Sequence, residues 1–453
     1  MQRIHFIAIG GAAMHNIAIA LSKKGFKVTG SDDEIFEPSL SRLKAAGILP
    51  DAFGWFPQRI TPDIDTVVLG MHARSDNPEL LKAQELGLNI VSFPEFLFQQ
   101  TKNKQRVVVA GSHGKTTTTA MILHALRFAG KTFDYMVGSQ IDGFDLMADI
   151  SDNAPLAVFE GDEYLSSPID RRSKFLWYQP HLAIITGIEW DHMNVFPTFE
   201  SYINAFRLFA QKIPANGKLF CCSHDEVLKS MISKGSISCE VVFYDGLPWQ
   251  QINGASSFQY RGKTYRTSLF GDHNFQNMHA ALLVCLDLGI DADLFCRSME
   301  SFSGAKRRLQ TILAAENPIY YDFAHAPSKV RATVKAVKAL HPKQKVVAAY
   351  ELHTFSSLNR DFIPHYAGTF DLADEVMIFF SPDTLKHKNM PLLDAQFIKN
   401  SVKHPSVNVY TAPEPMFEHL SRRWNDGSVV LLMTSGNFGG FNPIAWVDNL
   451  PKK

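Results

Sequence analysis

At 453 residues the chain is too long for one hydrophobic core, and ordinary domain sizes predict roughly three domains. Apolar residues make up 45% and charged residues 20%, with 28 Gly and 23 Pro spread along the length, which excludes a disordered or fibrous chain. Lys+Arg and Asp+Glu both number 45, so no bulk field favours nucleic acid or an anionic membrane surface, and any anion site must be local. The 5 cysteines are odd in number and scattered, without the spacing of a disulfide framework or a zinc site, and fit a reducing cytoplasm. No apolar run approaches the roughly eighteen residues that cross a bilayer, so a soluble protein with no membrane partner is expected.

The apolar start Ile4–Ile9, the helical pattern Met14–Lys24 and the run Phe26–Thr29 read as strand, helix, strand, the opening of a doubly wound α/β domain. Strands Thr66–Gly70 and Asn89–Val91 complete a unit of residues 1–103, and the polar stretch Thr101–Arg106 reads as a linker. A second unit, 104–301, begins with the buried-type strand Arg106–Ala110, a glycine loop and a helix from Lys115 to Phe128 that stops near Gly130. Further strands Leu156–Glu160 and His181–Thr186 and a helix around Phe199–Lys212 predict a parallel sheet there. Near Ser301–Arg308 the sequence turns small and basic. Strands then restart at Pro318–Phe323, Lys345–Glu351, Glu375–Phe380 and Ser428–Thr434, predicting a third α/β domain, 302–453.

The segment from Val107 to Thr117 sets Gly111-Ser112-His113-Gly114-Lys115-Thr116-Thr117 between a buried strand and a helix N-terminus. Backbone N–H groups and the positive end of the helix dipole gather there around an anion. Lys115, expected at an exposed phosphate site, would reach the terminal phosphates of a nucleotide, and the Thr116 hydroxyl would ligate Mg²⁺. Val109 stands where the strict G-x-x-x-x-G-K-[ST] pattern has glycine, so this is a shortened variant. Ligands of parallel sheets sit beyond the carboxyl ends of the strands. Two strands end there in acidic groups, Glu160-Gly161-Asp162-Glu163 and Glu189-Trp190-Asp191-His192. Glu160 and His192 are the candidate metal ligands beside Thr116. The bland alternative for each acidic cluster is a solvated loop or a helix cap.

At the N-terminus, Gly10-Gly11-Ala12-Ala13-Met14 follows the first strand and Ser31-Asp32-Asp33 the second. The spacing of a dinucleotide fingerprint, G-x-G-x-x-G, is absent. The loop geometry suits a pyrophosphate as well as a plain tight turn.

Together and in order, Gly111–Thr117, Glu160–Glu163, Glu189–Met193, Gly271-Asp272-His273-Asn274-Phe275-Gln276-Asn277, Arg307-Arg308-Leu309 and Tyr321-Asp322-Phe323-Ala324-His325 resemble the Mur ligase family over nearly the whole chain. The resemblance implies an α/β protein of three domains: a Rossmann-like UDP-sugar-binding domain, a central ATPase-like domain and a Rossmann-like C-terminal domain that receives the amine and closes over ATP. It implies that Lys115 holds the β- and γ-phosphates, that Thr116 and Glu160 bind one Mg²⁺, and that Glu160 and His192 bind a second. Asn277 would contact adenine, with His273 and Asn274 close by. Arg308 and Asp322 would meet the γ-phosphate and the ribose. Gly10, Gly11, Ala12, Ala13, Met14, Ser31, Asp32 and His72 would line the UDP-sugar site. Ala13, His15 and Asn16 depart from the small residues that relatives carry there, and Lys212 does not match the context of the carbamylated lysine that several relatives use.

Within the family, Asp170-Arg171-Arg172-Ser173-Lys174-Phe175 resembles the recycling branch, which joins UDP-N-acetylmuramate to the preformed tripeptide L-alanyl-γ-D-glutamyl-meso-diaminopimelate. The alternative is the branch that adds L-alanine. Arg172, Lys174 and His353 are the candidate peptide-binding residues, the last lying in Glu351–Ser357 at the end of a third-domain strand. The implied reaction makes an acyl phosphate from the sugar carboxylate and ATP, which the amine then attacks. Two other classes compete: an NAD-dependent oxidoreductase, resting on the N-terminal glycines, and a nucleotide-switched binding protein. The first leaves Lys115 and the acidic clusters unexplained. Oligomeric state is not legible.

Overall fold

The computed structural model describes residues 2–252, 255–304 and 308–451, and Arg307 of the basic motif lies outside them. It divides into two compact units: one of Met1–Ile188, Phe199–Leu247 and Gln276–Phe302, the other of Glu189–Thr198, Pro248–Phe275 and Ser303–Lys453.

The first unit holds two sheets. A four-stranded parallel sheet runs in the order Lys27–Ser31, Arg3–Ile7, Thr66–Leu69, Ile90–Ser92. The expected linker is shorter than its polarity suggested. Thr101 closes the helix Phe93–Thr101, its hydroxyl donating to Leu97 O at 2.7 Å, and Arg106 already belongs to a strand. The buried Arg106 guanidinium is absorbed by the carbonyls of Thr101, Lys102, Lys104, Tyr178 and Gln179, which explains a charge in a core strand.

The second sheet has seven strands in the order Glu240–Tyr244, Lys218–Cys222, Leu182–Ile185, Gln105–Ala110, Leu156–Glu160, Asp134–Met136, Ala148–Asp149. All pairings are parallel except the last. Gln105–Ala110 is central, and its Val107, Val108 and Val109 are fully buried, as an apolar run covered on both faces requires. The helix Lys115–Phe128 follows it as expected from sequence. Thr116–Thr119 are β-branched and disfavour a helix in isolation, yet all are buried, so packing overrides local propensity.

The second unit holds a six-stranded sheet in the order Gln310–Leu313, Ile319–Asp322, Val429–Met433, Val346–Leu352, Glu375–Phe380, Val407–Tyr410. Its first pairing is antiparallel and the rest are parallel. It also holds a three-stranded antiparallel sheet, Trp249–Ile252, Ala255–Tyr260 and Lys263–Thr267, that the reading of apolar runs did not anticipate. Short alternating strands with polar partners carry too little continuous apolar signal to register.

Candidate active site

The strand–loop–helix at 105–128 puts the glycine loop at the carboxyl edge of the seven-stranded sheet. Gly111 (φ 128°) and Gly114 (φ 76°) take backbone conformations that L side chains resist. Space is equally restrictive: a Cβ on Gly111 would stand 2.1 Å from Thr186 Oγ1, and one on Gly114 2.3 Å from Asn277 Oδ1. The loop is pinned from the neighbouring strand end, where Ser112 N donates to Gly187 O at 2.9 Å and the Thr186 hydroxyl donates to His113 O. The Asn277 side chain therefore leans directly on the phosphate loop.

Lys115 is not exposed, contrary to expectation. Its side chain is 15% exposed, and its ammonium donates to Gly111 O at 2.6 Å and to Glu163 Oε2 at 2.8 Å. Burial alone would lower its pKa, but the carboxylates of Glu163 and Asp162 outweigh it and hold the ammonium above its ordinary value. The other Glu163 oxygen accepts from Tyr202 OH at 2.9 Å, and the Ser112 hydroxyl in turn meets Tyr202 OH at 2.9 Å. One buried carboxylate thus ties the lysine to its own loop. Beside it, the Thr116 hydroxyl donates to Glu160 Oε1 at 2.8 Å, and Gly138 N donates to Glu160 Oε2 at 2.6 Å. Thr117 is buried on the helix behind them.

In the second unit, three motifs converge on Asp191. Its carboxylate lies 3.3 Å from His325 Nε2, accepts from Ser356 Oγ at 3.3 Å and takes His192 N at 2.7 Å. Burial would raise its pKa, yet His325 and His192 outweigh that and keep it far below the usual carboxylate range. His192 itself has φ 54°, a strained conformation for a non-glycine residue. Asp322 at the end of strand Ile319–Asp322 is buried, accepting from Thr333 Oγ1 at 2.6 Å and Leu309 N at 3.2 Å. Lys329 chiefly, with Thr333 and Arg308, holds it ionised against the cost of burial. The Arg308 guanidinium covers the Phe323 ring at 4.8 Å. His273 packs over Gly271, and Asn274 Nδ2 donates to Phe270 O at 2.8 Å. His353 Nδ1 lies 3.6 Å from Glu351, and its backbone N donates to Ser357 Oγ at 3.0 Å.

At the N-terminal loop, Gly10 N donates to Asp32 Oδ2 at 2.7 Å, Ser31 Oγ accepts from Arg59 at 3.0 Å, and His72 Nε2 lies 3.0 Å from Asp33. Burial pushes the Asp32 carboxyl up to about 6. Gly11 caps the helix Ala12–Lys23, in which Ala12 is exposed, Ala13 half-buried and Met14 buried. The two unusual residues serve structure: His15 Nδ1 binds Gly11 O at 2.9 Å, and Asn16 Oδ1 accepts Met147 N at 2.9 Å. Arg172 and Lys174 both have internal partners. Arg172 Nε donates to Asp170 at 2.8 Å and covers the Trp177 ring at 4.1 Å, and Lys174 donates to Asp162 at 2.5 Å.

Residues 3–105 match the Mur ligase family, catalytic domain, 109–285 the Mur ligase middle domain, and 307–436 the Mur ligase, glutamate ligase domain. A UDP-N-acetylmuramate–L-alanine ligase of Clostridium kluyveri is 31% identical over 460 residues, covering 96% of each chain. The chain belongs to the Mur ligase family. This Mur ligase is an ATP-dependent enzyme of the peptidoglycan pathway that forms carbon–nitrogen bonds. A murein peptide ligase of Psychrobacter arcticus shares its fold with TM-score 0.70 over all of both chains, at 23% identity. The UDP-N-acetylmuramate:L-alanyl-γ-D-glutamyl-meso-diaminopimelate ligase of Neisseria meningitides is 28% identical, with TM-score 0.62 over 68% of this chain and all of that one. A UDP-N-acetylmuramate–alanine ligase of Thermotoga maritima has TM-score 0.69 at 22% identity, over 97% of both chains.

The loop of this Mur ligase fits a nucleotide polyphosphate, since its glycines leave no room for side chains and its lysine ammonium stays charged. Thr116 and Glu160 offer hard oxygen donors side by side, the type Mg²⁺ takes. Glu163 was named only as a member of its acidic cluster, without its tie to Lys115, and Tyr202 and Thr186 carried no role in the sequence reading. Tyr202 sits in an amphipathic helix whose pattern signals only a core face, and nothing in it distinguishes a hydroxyl aimed at a carboxylate. No helix among the described residues is long and apolar enough to cross a membrane.

Proposed function

We propose that the enzyme joins UDP-N-acetylmuramate to the amine of L-alanyl-γ-D-glutamyl-meso-diaminopimelate, in peptidoglycan recycling. The observation that carries this reading is the segment from Glu160 to Phe175. Its Arg-Ser-Lys-Phe motif resembles the recycling branch and folds back onto the phosphate-site strand end. Lys174 N donates to Tyr164 O at 2.8 Å, Phe175 N donates to Asp162 O at 3.1 Å, and the buried Phe175 ring stacks on Phe209 at 4.7 Å. The 28% identity to the Neisseria meningitides tripeptide ligase supports it. L-alanine as acceptor is the second reading, favoured by the 31% identity to the UDP-N-acetylmuramate–L-alanine ligases of Clostridium kluyveri and Chlorobium chlorochromatii.

In this reading the sugar carboxylate attacks the γ-phosphate of ATP, giving an acyl phosphate and ADP, and the peptide amine then displaces phosphate. Lys115 neutralises charge on the transferring phosphoryl group, and the loop N–H groups from Gly111 to Thr117 orient the phosphates. Thr116 and Glu160 would hold one Mg²⁺ and Glu160 with His192 a second, and the ions would supply positive charge to the phosphate oxygens. His273, Asn274 and Asn277 are assigned to adenine, Arg308 and Asp322 to the γ-phosphate and ribose. The loop Gly10–Met14 with Ser31, Asp32 and His72 is assigned to the UDP-sugar, and Arg172, Lys174 and His353 to the peptide. The division 1–103, 104–301 and 302–453 is retained as the functional one, for UDP-sugar, ATP and peptide, and a cytoplasmic location goes with it.

The test is a comparison of acceptors at saturating ATP and UDP-N-acetylmuramate. The tripeptide should exceed L-alanine in kcat/KM by more than tenfold, about 1.4 kcal/mol of transition-state stabilisation. Equal or better use of alanine would assign the chain to the alanine-adding branch.

A further inference from the structure

Carboxylates on the acceptor need cations, and Arg172 and Lys174, assigned to the peptide above, each already share their charge with a carboxylate, Asp170 and Asp162. Lys388 is different. It follows the helix Pro382–His387, just past the carboxyl end of strand Glu375–Phe380, whose parallel neighbour Val346–Leu352 leads into the His353–Ser357 loop. Lys388 forms no ion pair among the described residues. Its ammonium instead stands 4.2 Å from the centroid of the Phe355 ring, a large aromatic left 41% exposed.

The backbone that carries Lys388 is fixed. Asn389 closes the helix in a left-handed conformation (φ 52°), with Asn389 N donating to Lys386 O at 3.1 Å and Met390 N to Leu385 O at 2.9 Å. Met390 packs against the core of the six-stranded sheet. A second cation shares this edge: Arg360, after the same loop, covers the Phe397 ring at 4.1 Å and likewise has no ion-pair partner among the described residues. Burial has already stripped part of the water from Lys388, lowering its pKa. A carboxylate arriving there gains a charge-assisted bond without displacing a protein carboxylate.

We propose that Lys388, seated on Phe355, recognises a carboxylate of the acceptor peptide remote from the reacting amine. This rests on the peptide-acceptor reading above and adds the residue that enforces it. Ligands of parallel sheets gather at the carboxyl ends of the strands, where both side chains sit.

The experiment measures KM for the tripeptide, and for the tripeptide with its diaminopimelate carboxylates amidated, in the native enzyme, Lys388→Met and Lys388→Arg, at saturating ATP and UDP-N-acetylmuramate. Lys388→Met should raise KM for the tripeptide about tenfold and leave KM for ATP unchanged. Lys388→Arg should recover most of that loss. The amidated peptide should already bind the native enzyme weakly and be insensitive to either substitution. An unchanged tripeptide KM in Lys388→Met, or an equal rise for the amidated peptide, overturns the role of Lys388 while leaving the acceptor reading in place. A native enzyme that prefers L-alanine overturns both.

Discussion

Lys115 and Glu163 form a 2.8 Å ion pair whose side chains are 15% and 1% exposed, so the lysine assigned to the phosphates is held by a buried carboxylate. An ammonium has three N–H donors. Gly111 O and Glu163 take two, which directs the third. Glu163→Gln removes a negative charge near the polyphosphate and loosens this orientation. The expected outcome is a kcat roughly tenfold lower with KM for ATP unchanged or smaller, read from steady-state kinetics with ATP varied. A raised KM with normal kcat would mean that Glu163 serves binding and not orientation.

Lys115→Met should lower ligation at least about 10²-fold, since it deletes the charge assigned to the transferring phosphoryl group. It should also destabilise the fold by roughly 1–3 kcal/mol, because the Glu163 carboxylate is left buried without its cation. Adding Glu163→Gln to that variant should recover part of the stability and none of the activity, as denaturant midpoints and turnover assays on the same samples would show.

Gly111→Ala adds a methyl group 2.1 Å from Thr186 Oγ1 and 2.8 Å from Thr186 N, at φ 128°. Backbone cannot yield as a flexible side-chain tip can. A loss of stability above about 1 kcal/mol is expected, together with weaker ATP binding by calorimetry. Gly25→Ala, at φ 94° with nothing near the added carbon, serves as the control for backbone strain alone.

Glu160→Gln should raise the Mg²⁺ concentration needed for half-maximal activity several-fold, because an amide oxygen is a poorer ligand for a hard cation than a carboxylate. The amide keeps one oxygen, which can accept from Gly138 N, and the Thr116 hydroxyl can turn to accept from the new amide N–H, so thermal stability should fall by no more than about 1 kcal/mol. Overlapping Mg²⁺ titrations of variant and parent would take Glu160 out of the metal site.

Asp32 gives a pH signature. Its carboxyl rises from 3.8 to about 6 on folding, chiefly through burial, so between those values the folded state binds more protons than the unfolded. Its contribution to stability is therefore greatest below about pH 4 and declines as pH rises through about 6. The neighbouring Asp33 is shifted down by His72 and Asp32 against a cost of burial, and acts only at lower pH. Asp32→Asn should flatten the decline between about pH 4 and 7 in urea denaturation. An identical slope in the variant would place the titration elsewhere.

The sequence by itself determined the strand–loop–helix from Gln105 to Phe128, because an uninterrupted apolar strand, a glycine loop and an apolar stretch closed near Gly130 are local signals, although packing has to overcome the four threonines that open the helix. It also determined the order of motifs that marks the family, and the adjacency of Thr116 and Glu160, since parallel strands deliver their carboxyl ends to one edge. Tertiary structure decided the partners. Lys115 meets Glu163 across 48 positions and Asp191 meets Ser356 across 165, pairings that depend on strand order and not on any local period. It decided too that Arg172 and Lys174 share their charge with carboxylates of their own loop whereas Lys388 is left over an aromatic ring. All three are equally basic in sequence, and only the distance to the nearest carboxylate separates them.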